Sequence, residues 1–175
     1  VQDFGDLSSE IATQSFDAIE INGTFRYWRF TTDLNSTGGV QFQGINEVRL
    51  YTGSGQTGTK WPTASMTANN VPAPFVASSR YNNAGANYNP HEAFDNNSNS
   101  GWIDSFSGSL PGMYLQIDLG SSVTIKSFSF RAGILTQFTP ASFSIYGSDT
   151  GAFAGEETLV ATMTGMPNTG EGYLG

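Results

Sequence analysis

The capacity of this sequence for chemistry is concentrated in a short run of oxygen-bearing side chains, residues 93–102. Between Phe94 and Trp102 stand one Asp, three Asn and two Ser. This composition favours a tight polar turn held at both ends by large rings that pack into a core. Calcium takes about six to eight oxygens from carboxylates, amides, hydroxyls and backbone carbonyls. The residues alone are consistent with a calcium site or with an Asx-rich turn that binds no metal.

The usual catalytic groupings are missing from the sequence. With a single His and no Cys, the nucleophile–base pairs reduce to a Ser with His91. There is no Gly-x-Ser-x-Gly, His-Glu-x-x-His or phosphate-loop pattern. Asp95 with Asp104, or Glu156 with Glu157, would supply two carboxylates, but closeness in sequence does not set their separation in space. We therefore expect a protein that is not an enzyme.

Composition and charge narrow the class of protein further. The 175 residues carry a net charge of −8 and only seven Lys and Arg. Binding to a phosphate backbone needs a basic stripe, so we expect no nucleic-acid partner. No apolar run approaches the roughly 18 residues of a membrane span, so we expect no membrane insertion. The chain begins at Val1 without Met, which is expected of a processed product or a fragment of a longer protein.

The elements that must position the polar turn are predicted to be β-strands. Gly is abundant, and 13 Phe, seven Tyr and three Trp supply bulk, a profile typical of all-β proteins. Alternating apolar residues separated by turn signals mark the strands. They are expected at residues 25–32, 40–51, 113–119, 123–132, 140–146 and 157–163. Together they predict one β-sandwich over residues 25–175, preceded by an arm or linker at residues 1–24.

Four segments between residues 93 and 149 occur in a recognisable order. They are Ala93-Phe94-Asp95 followed by Trp102, Tyr-Leu-Gln-Ile-Asp-Leu-Gly at 114–120, Val-Thr-Ile at 123–125 and Pro-Ala-Ser-Phe-Ser-Ile-Tyr-Gly-Ser-Asp at 140–149. In this order they resemble the discoidin or coagulation-factor type C domains, a galactose-binding-like family, and bacterial carbohydrate-binding modules of the same fold. The resemblance implies a non-catalytic jelly-roll β-sandwich with a structural calcium and ligand-binding loops at one end.

The closing strands of that family come early in this chain. The family ends with Arg-Tyr-x-Arg and Ile-x-Glu-Val segments, whose counterparts here are Arg26-Tyr27-Trp28-Arg29 and Ile45-Asn46-Glu47-Val48. We expect a permuted arrangement in which residues 25–51 supply the closing strands of the same sandwich. The competing account is a fragment cut across two tandem modules, with the end of one and the beginning of the next.

The resemblance also implies which oxygens hold the ion. In the family these come from the turn Asp, the residue two positions after it, a hydroxyl residue five positions after it, a backbone carbonyl just before it and the Glu of the closing segment. The corresponding residues are Glu47, Glu92 through its carbonyl, Asp95, Asn97 and Ser100. The family's Gly after the Asp is replaced by Asn96, which tolerates a left-handed backbone. The expected role of Ca²⁺ is structural, joining the turn to the closing strand.

Glycan binding is the first function that these features predict. Aromatic faces stack on a sugar ring while planar amides and Arg meet its hydroxyls. The candidate contacts to a cell-surface or polysaccharide glycan are Tyr81, Asn83, Tyr88, His91, Asp104, Phe106 and Arg131. Trp102 is expected to be a buried anchor, and His91 is equally consistent with a hydrogen-bonded loop residue. This reading gives an extracellular adhesion module.

A structural function is the alternative. The Tyr-Trp-Arg-Phe strand at residues 27–30 is similar to modules on phage tail fibres and other virion surface proteins. The chain would then act in a fibre or particle through protein–protein contacts, with neighbouring subunits pairing along an open strand edge. Both functions place the protein outside the cell or on a virion surface.

Overall fold

Antiparallel β-strands dominate the part of the chain that the computed structural model describes, residues 19–35, 42–80, 88–97, 99–105, 113–132, 140–164 and 173–174. These ranges contain a single 3₁₀ helix at Pro90–Phe94 and no α-helix. The strands are β1 (Ile19–Asn35), β2 (Phe42–Tyr51), β3 (Lys60–Trp61), β4 (Val76–Ser79), β5 (Trp102–Ser105), β6 (Met113–Ala132), β7 (Pro140–Ser148), β8 (Thr158–Thr164) and β9 (Tyr173–Leu174). The prediction of an all-β protein is confirmed.

The strands join into one hydrogen-bonded network with β6 at its centre. The main path is β3-β2-β6-β1-β7-β8, while β4 and β9 pair with β6 and β5 pairs with β2. The first part of β6 pairs with β1 and β4, and its second part pairs with β1 and β2. β1 therefore pairs with both parts of this long strand, whereas β4 pairs only with the first part and β2 only with the second.

The two parts of β6, each with its partner strands, fold over one another around a shared aromatic core. Phe30 of β1 pairs with Leu115 in the first part of β6, yet its ring lies 6.2 Å from that of Phe128 in the second part. The ring of Phe143 on β7 lies 4.7 Å from that of Phe130. All five side chains are buried in one cluster. The sandwich-like fold is therefore present, whereas its jelly-roll connectivity stays a prediction.

β6 bends where the sequence predicts that a strand ends. Gly120 has a φ of 79°, a backbone conformation that suits glycine. A Cβ at Gly120 would lie 2.5 Å from the Cβ of Pro74, so only glycine admits this neighbour. Residues 120–122 nevertheless lie inside β6, and β1 stays paired with β6 on both sides of the bend. The prediction of two separate strands is wrong: β6 is one continuous strand, because β1 pairs with it both before and after Gly120.

The early strands belong to the same body as the later ones. β1 begins at Ile19, inside the range 1–24 that the sequence assigns to an arm or linker, and its residues 19–25 pair with β6. β2 pairs with the second part of β6 through residues 45–51. The segments that the resemblance identifies as closing strands therefore complete the sheet formed by the later part of the chain.

Candidate functional site

The turn that follows the 3₁₀ helix is closed by its own side chains. Asp95 Oδ1 accepts the backbone N–H of Asn97 at 2.8 Å, and Asp95 Oδ2 accepts the hydroxyl of Ser100 at 2.6 Å. Asn97 Oδ1 in turn accepts the N–H of Asn99 at 3.1 Å. Asn96 has a φ of 62°, the left-handed conformation predicted for it. Three of the five predicted metal ligands thus share one Asx-type turn.

The fourth predicted ligand, Glu47 of β2, reaches this turn from the sheet. Its side chain is buried, and Oε1 accepts the backbone N–H of Asn96 at 3.2 Å. The turn approaches β2 closely because residue 101 is glycine: a Cβ there would lie 2.6 Å from the Cα of Asn46. Sequence-distant oxygens are therefore brought together by the packing of the turn against β2.

Burial governs the electrostatics of Glu47. Removal from water raises the pKa of its carboxyl to about 7, opposed by the guanidinium of Arg49 and reinforced by the negative charge of Asp95. The Arg49 Nε lies 3.7 Å from Glu47 Oε1. The second oxygen, Oε2, is buried and has no hydrogen-bond partner in the described part of the chain. An ionised Glu47 is consequently unfavourable unless more positive charge is supplied.

Glu92, on the 3₁₀ helix, also has one carboxylate oxygen that is buried without a partner among the described residues. Its Oε1 accepts a long hydrogen bond of 3.5 Å from Asn89 Nδ2, whereas its Oε2 is buried without a partner among the described residues. Burial raises the pKa of Glu92, and the charge of Asp95 raises it further. Within the same ranges, no three acidic or histidine side chains come together closely enough to hold a metal by themselves. A cation here would depend on neutral oxygens as well.

A lysine holds the outer side of the turn. Lys60 Nζ donates to Asn96 Oδ1, and Asn96 Nδ2 donates to Ser65 Oγ at 2.7 Å. Burial lowers the pKa of Lys60, and the neighbouring Arg49 lowers it further. The polar turn is therefore fixed both by β2 and by the segment around β3.

Two of the predicted ligand contacts lie next to the 3₁₀ helix. Tyr88 is half-buried, and its carbonyl accepts the N–H of Ile103 at 3.3 Å. His91 is also half-buried; its backbone N–H donates to Asn69 Oδ1 at 3.1 Å, and its Nδ1 lies 3.0 Å from the same oxygen. His91 is therefore hydrogen-bonded to Asn69, as the sequence allows, but it lies within the 3₁₀ helix and not in a loop.

The other predicted contacts do not gather into one described surface. Asp104 is fully buried on β5, opposite Gln43, whose amide atoms are buried and have no partner among the described residues. Arg131 is half-buried on β6 opposite Glu47. Asp104 therefore faces the interior of the protein. The remaining predicted contacts, Tyr81, Asn83 and Phe106, lie outside the described residues.

The sequence did not predict one cluster of polar and aromatic side chains, which lies around Arg29. On the outer face of β1 and β6, Arg29 lies against Tyr114, Gln116 and Phe153. Alternation does place Arg29 opposite the buried Trp28 and Phe30, and this is the signal that points to an outward position. The pairing that brings Arg29 beside Gln116 depends on the β1–β6 register, which the sequence does not give.

Comparison with protein-family models and with curated proteins finds no match for this chain. In the described residues, no helix has the length and apolar character required to cross a membrane.

Proposed function

We propose that this chain is a non-catalytic glycan-binding or adhesion module with a discoidin-like jelly-roll fold, acting outside the cell, in which a structural calcium ion joins β2 to the polar turn. The strongest support is the buried Oε2 of Glu47, which finds no partner among the described residues although Oε1 of the same side chain is bonded to the polar turn. An unpaired buried carboxylate is costly unless it is protonated or meets a cation. A cation beside Asp95 would neutralise the buried carboxylate of Glu47 and give its second oxygen a partner.

The donor set fits calcium by its chemistry. Hard cations prefer oxygen, and calcium accepts irregular shells of carboxylate, amide, hydroxyl and carbonyl oxygens. The ion would be held by Glu47, Asp95, Asn97, Ser100 and the carbonyl of Glu92. Such a shell needs only two carboxylates when neutral oxygens complete it, so a third acidic ligand is not required. Calcium would supply the positive charge that keeps Glu47 ionised and fastens the turn to the sheet.

The same carboxylates are poorly placed for catalysis. Glu47 is 1% exposed and cannot meet a substrate. Both oxygens of Asp95 are engaged within the turn, and Glu156 Oε1 accepts hydrogen bonds from Ser148, Thr150 and the backbone of Phe153. General acid–base work requires a carboxyl within hydrogen-bond reach of the substrate. These contacts favour a structural role for each of these carboxylates.

Calcium binding is tested by calorimetric titration of the chelator-treated protein at pH 7.5, together with melts in calcium and in EGTA. A ligand that binds only the folded state must raise the melting temperature. Magnesium is the matched control, because it prefers rigid octahedral sites and retains water. Heat of binding and a higher melting temperature with calcium alone are expected. Identical melts in calcium and EGTA would overturn the calcium proposal.

Glycan binding is tested separately on an array of neutral, sialylated and sulfated oligosaccharides. Binding to at least one neutral oligosaccharide is expected, because the acidic net charge of −8 disfavours anionic ligands. A Tyr88→Ala variant with an unchanged melt tests whether the half-buried Tyr88 beside the 3₁₀ helix contributes. An array without any binding overturns the glycan proposal and leaves the calcium proposal to its own test.

β8 favours a second function, the structural module of a fibre or particle. Among the described strands, β8 stands at the end of the main sheet path; it carries no charged residue and exposes Leu159 at 54%. An uncharged edge strand is a template for pairing with another chain. Light scattering after gel filtration distinguishes the two functions: a stable oligomer that Leu159→Lys dissociates supports the structural module, and a monomer at every accessible concentration contradicts self-assembly through this edge.

A further inference from the structure

The guanidinium of Arg29 is clamped on the outer face of the sheet. Its Nε and Nη2 both donate to Gln116 Oε1, at 2.9 and 2.8 Å. The central carbon lies 3.9 Å from the ring centroid of Tyr114 and 3.8 Å from that of Phe153. Two cation–π contacts and a two-pronged hydrogen bond hold the group in one orientation. Arg29 is therefore preorganised rather than a mobile surface side chain.

This clamp leaves a set of N–H donors without acceptors. Since a guanidinium only donates, the Gln116 atom that faces it is the amide oxygen, and the NH₂ group of Gln116 points elsewhere. Neither that NH₂ group nor Nη1 of Arg29 has a hydrogen-bond partner in the described ranges, and no carboxylate there forms an ion pair with Arg29. Burial lowers the pKa of Arg29. The donors are thus partly withdrawn from water and free to meet a ligand.

Aromatic rings border these donors. Tyr146 of β7 stands directly opposite Arg29 in the register, and Tyr114 lies two residues from Gln116 on the same face of β6. Phe153 belongs to the loop at 149–157, which folds back over β1 so that Gly151 packs against the ring of Tyr27. Phe153 has a φ of 49°, uncommon for a bulky residue. The fold holds this ring over Arg29 in a conformation that strained residues at binding sites often show.

The chemistry of the surface selects the class of ligand. Several N–H donors beside tyrosine rings match a molecule with many oxygen acceptors and an apolar ring face. Glu156 and Glu157 are close enough to act electrostatically on Arg29, and the whole chain carries a charge of −8. Both features oppose an anionic ligand such as an acidic peptide or a nucleic acid. A neutral, hydroxyl-rich ring is the remaining match.

We propose that Arg29 and Gln116, with the rings of Tyr114 and Tyr146, form a binding site for a neutral sugar unit on the outer face of the sheet. The proposal rests on the glycan-binding function above but places the site away from the 3₁₀ helix, where the sequence predicts Tyr88 and His91. The sugar hydroxyls would accept from Nη1 of Arg29 and the NH₂ of Gln116, and its apolar face would lie on a tyrosine ring. The other role for the clamp is to anchor the loop at 149–157.

Gln116→Glu separates these two roles. The carboxylate keeps an oxygen toward Arg29 and adds an ion pair, so loop anchoring is retained or strengthened. The same change removes the two N–H donors offered to a sugar. Arg29→Lys is the complementary variant, because it preserves the charge but loses the planar fork. We expect each to weaken binding by about tenfold or more, since a binding group left unpaired discriminates strongly, while Gln116→Glu melts no lower than the original protein.

Two variants serve as matched controls. Arg26→Lys makes the same change on the same strand, at a residue already paired with Asp118. Gln56→Glu makes the same substitution in the loop before β3, where the backbone N–H of Gln56 donates to Ser127 in the second part of β6. Both should bind like the original protein.

The probe is the neutral oligosaccharide that gives the strongest array signal, titrated by calorimetry into the protein and the variants. If Gln116→Glu and Arg29→Lys bind unchanged while Tyr88→Ala does not, the site is wrong and glycan binding stands. If the original protein binds no neutral oligosaccharide, or binds only sialylated or sulfated ones, the proposal of a neutral sugar site fails outright. Should a variant not fold, NMR titration of the original protein decides: the side-chain N–H signals of Arg29 and Gln116 must shift.

Discussion

The backbone N–H of Asn96 donates to Oε1 of Glu47, a residue 49 positions earlier in the chain. This bond joins the polar turn to β2, and it directs one carboxylate oxygen toward the turn while the other stays buried without a partner among the described residues. A charged side chain is rarely buried so fully unless something neutralises it. The contact therefore links the turn to β2 and leaves beside it a buried carboxylate that a cation would stabilise.

Glu47→Gln should abolish the response to calcium. The amide keeps one oxygen for Asn96 but loses the charge that the ion requires. In the original protein, calcium at about 100 times its dissociation constant should add about 2.7 kcal/mol of stability, which raises the melting temperature by roughly 5 to 10 °C for a domain of this size. Differential scanning calorimetry with calcium and with EGTA measures both.

Glu20→Gln is the matched control for this prediction. Glu20 is exposed, and its carboxylate accepts only the N–H of Gly55 among the described contacts. It should keep the full calcium response. An equal response in the Glu47 and Glu20 variants would remove Glu47 from the site.

The polar turn was predictable because its determinants are local. The Asx-type hydrogen bonds of Asp95 and Asn97 follow from short-range spacing, and Trp102 is buried as expected of an anchor. Asp104 could have been recognised as well: in a strand, residues two apart share a face, so a buried Trp102 carries Asp104 inward with it. The structure has both fully buried on β5.

Contacts between strands were not predictable in the same way. The alternating pattern of apolar residues places Glu47 and Arg29 on strands. Their partners depend on the register of β6 against β2 and β1. A shift of one residue would turn every side chain to the opposite face. The bulge between Ile45 and Glu47 adds such a shift inside β2. The proximity of Glu47 to the turn was anticipated only through the resemblance, and the clamp around Arg29 was not anticipated at all.

Stability without divalent cations should fall as the pH rises from about 5 to 8. Burial raises the pKa of Glu47 from 4.5 to about 7, so between these values the folded state binds a proton that the unfolded state releases. Stability is then greatest below the unfolded pKa and declines through the folded one, by at most about 3 kcal/mol. Urea denaturation followed by tryptophan fluorescence at several pH values measures this slope.

Glu47→Gln isolates the contribution of this one group. Because the amide does not titrate, the difference between the original protein and the variant should grow over the same pH range and level off above it. Calcium at pH 8 should restore the original protein and leave the variant unchanged. A pH-independent difference would show that Glu47 does not change its protonation on unfolding.

Gly101→Ala should loosen the turn from β2. The added Cβ would lie 2.6 Å from the Cα of Asn46 and 2.9 Å from the carbonyl oxygen of Ile45, so backbone must move against backbone. Overpacking of this kind costs about 1 to 3 kcal/mol. The exposed neighbour Asn99 contributes its backbone N–H to the turn, so Asn99→Ala should change stability by less than about 0.5 kcal/mol. Urea titration compares the two, and equal midpoints would contradict the close approach.

Phe143→Ala tests whether the two parts of β6 and their partner strands share one core. The ring of Phe143 meets Phe130 and Phe128 of β6 and Phe30 of β1, and all four are fully buried. Its removal opens a cavity between the layers and should cost about 3 to 5 kcal/mol. Phe153→Ala is the matched control: it removes the same ring from a half-buried position against Arg29 and should cost about 1 kcal/mol. Urea midpoints that fall equally in both variants would mean that Phe143 does not hold two layers together.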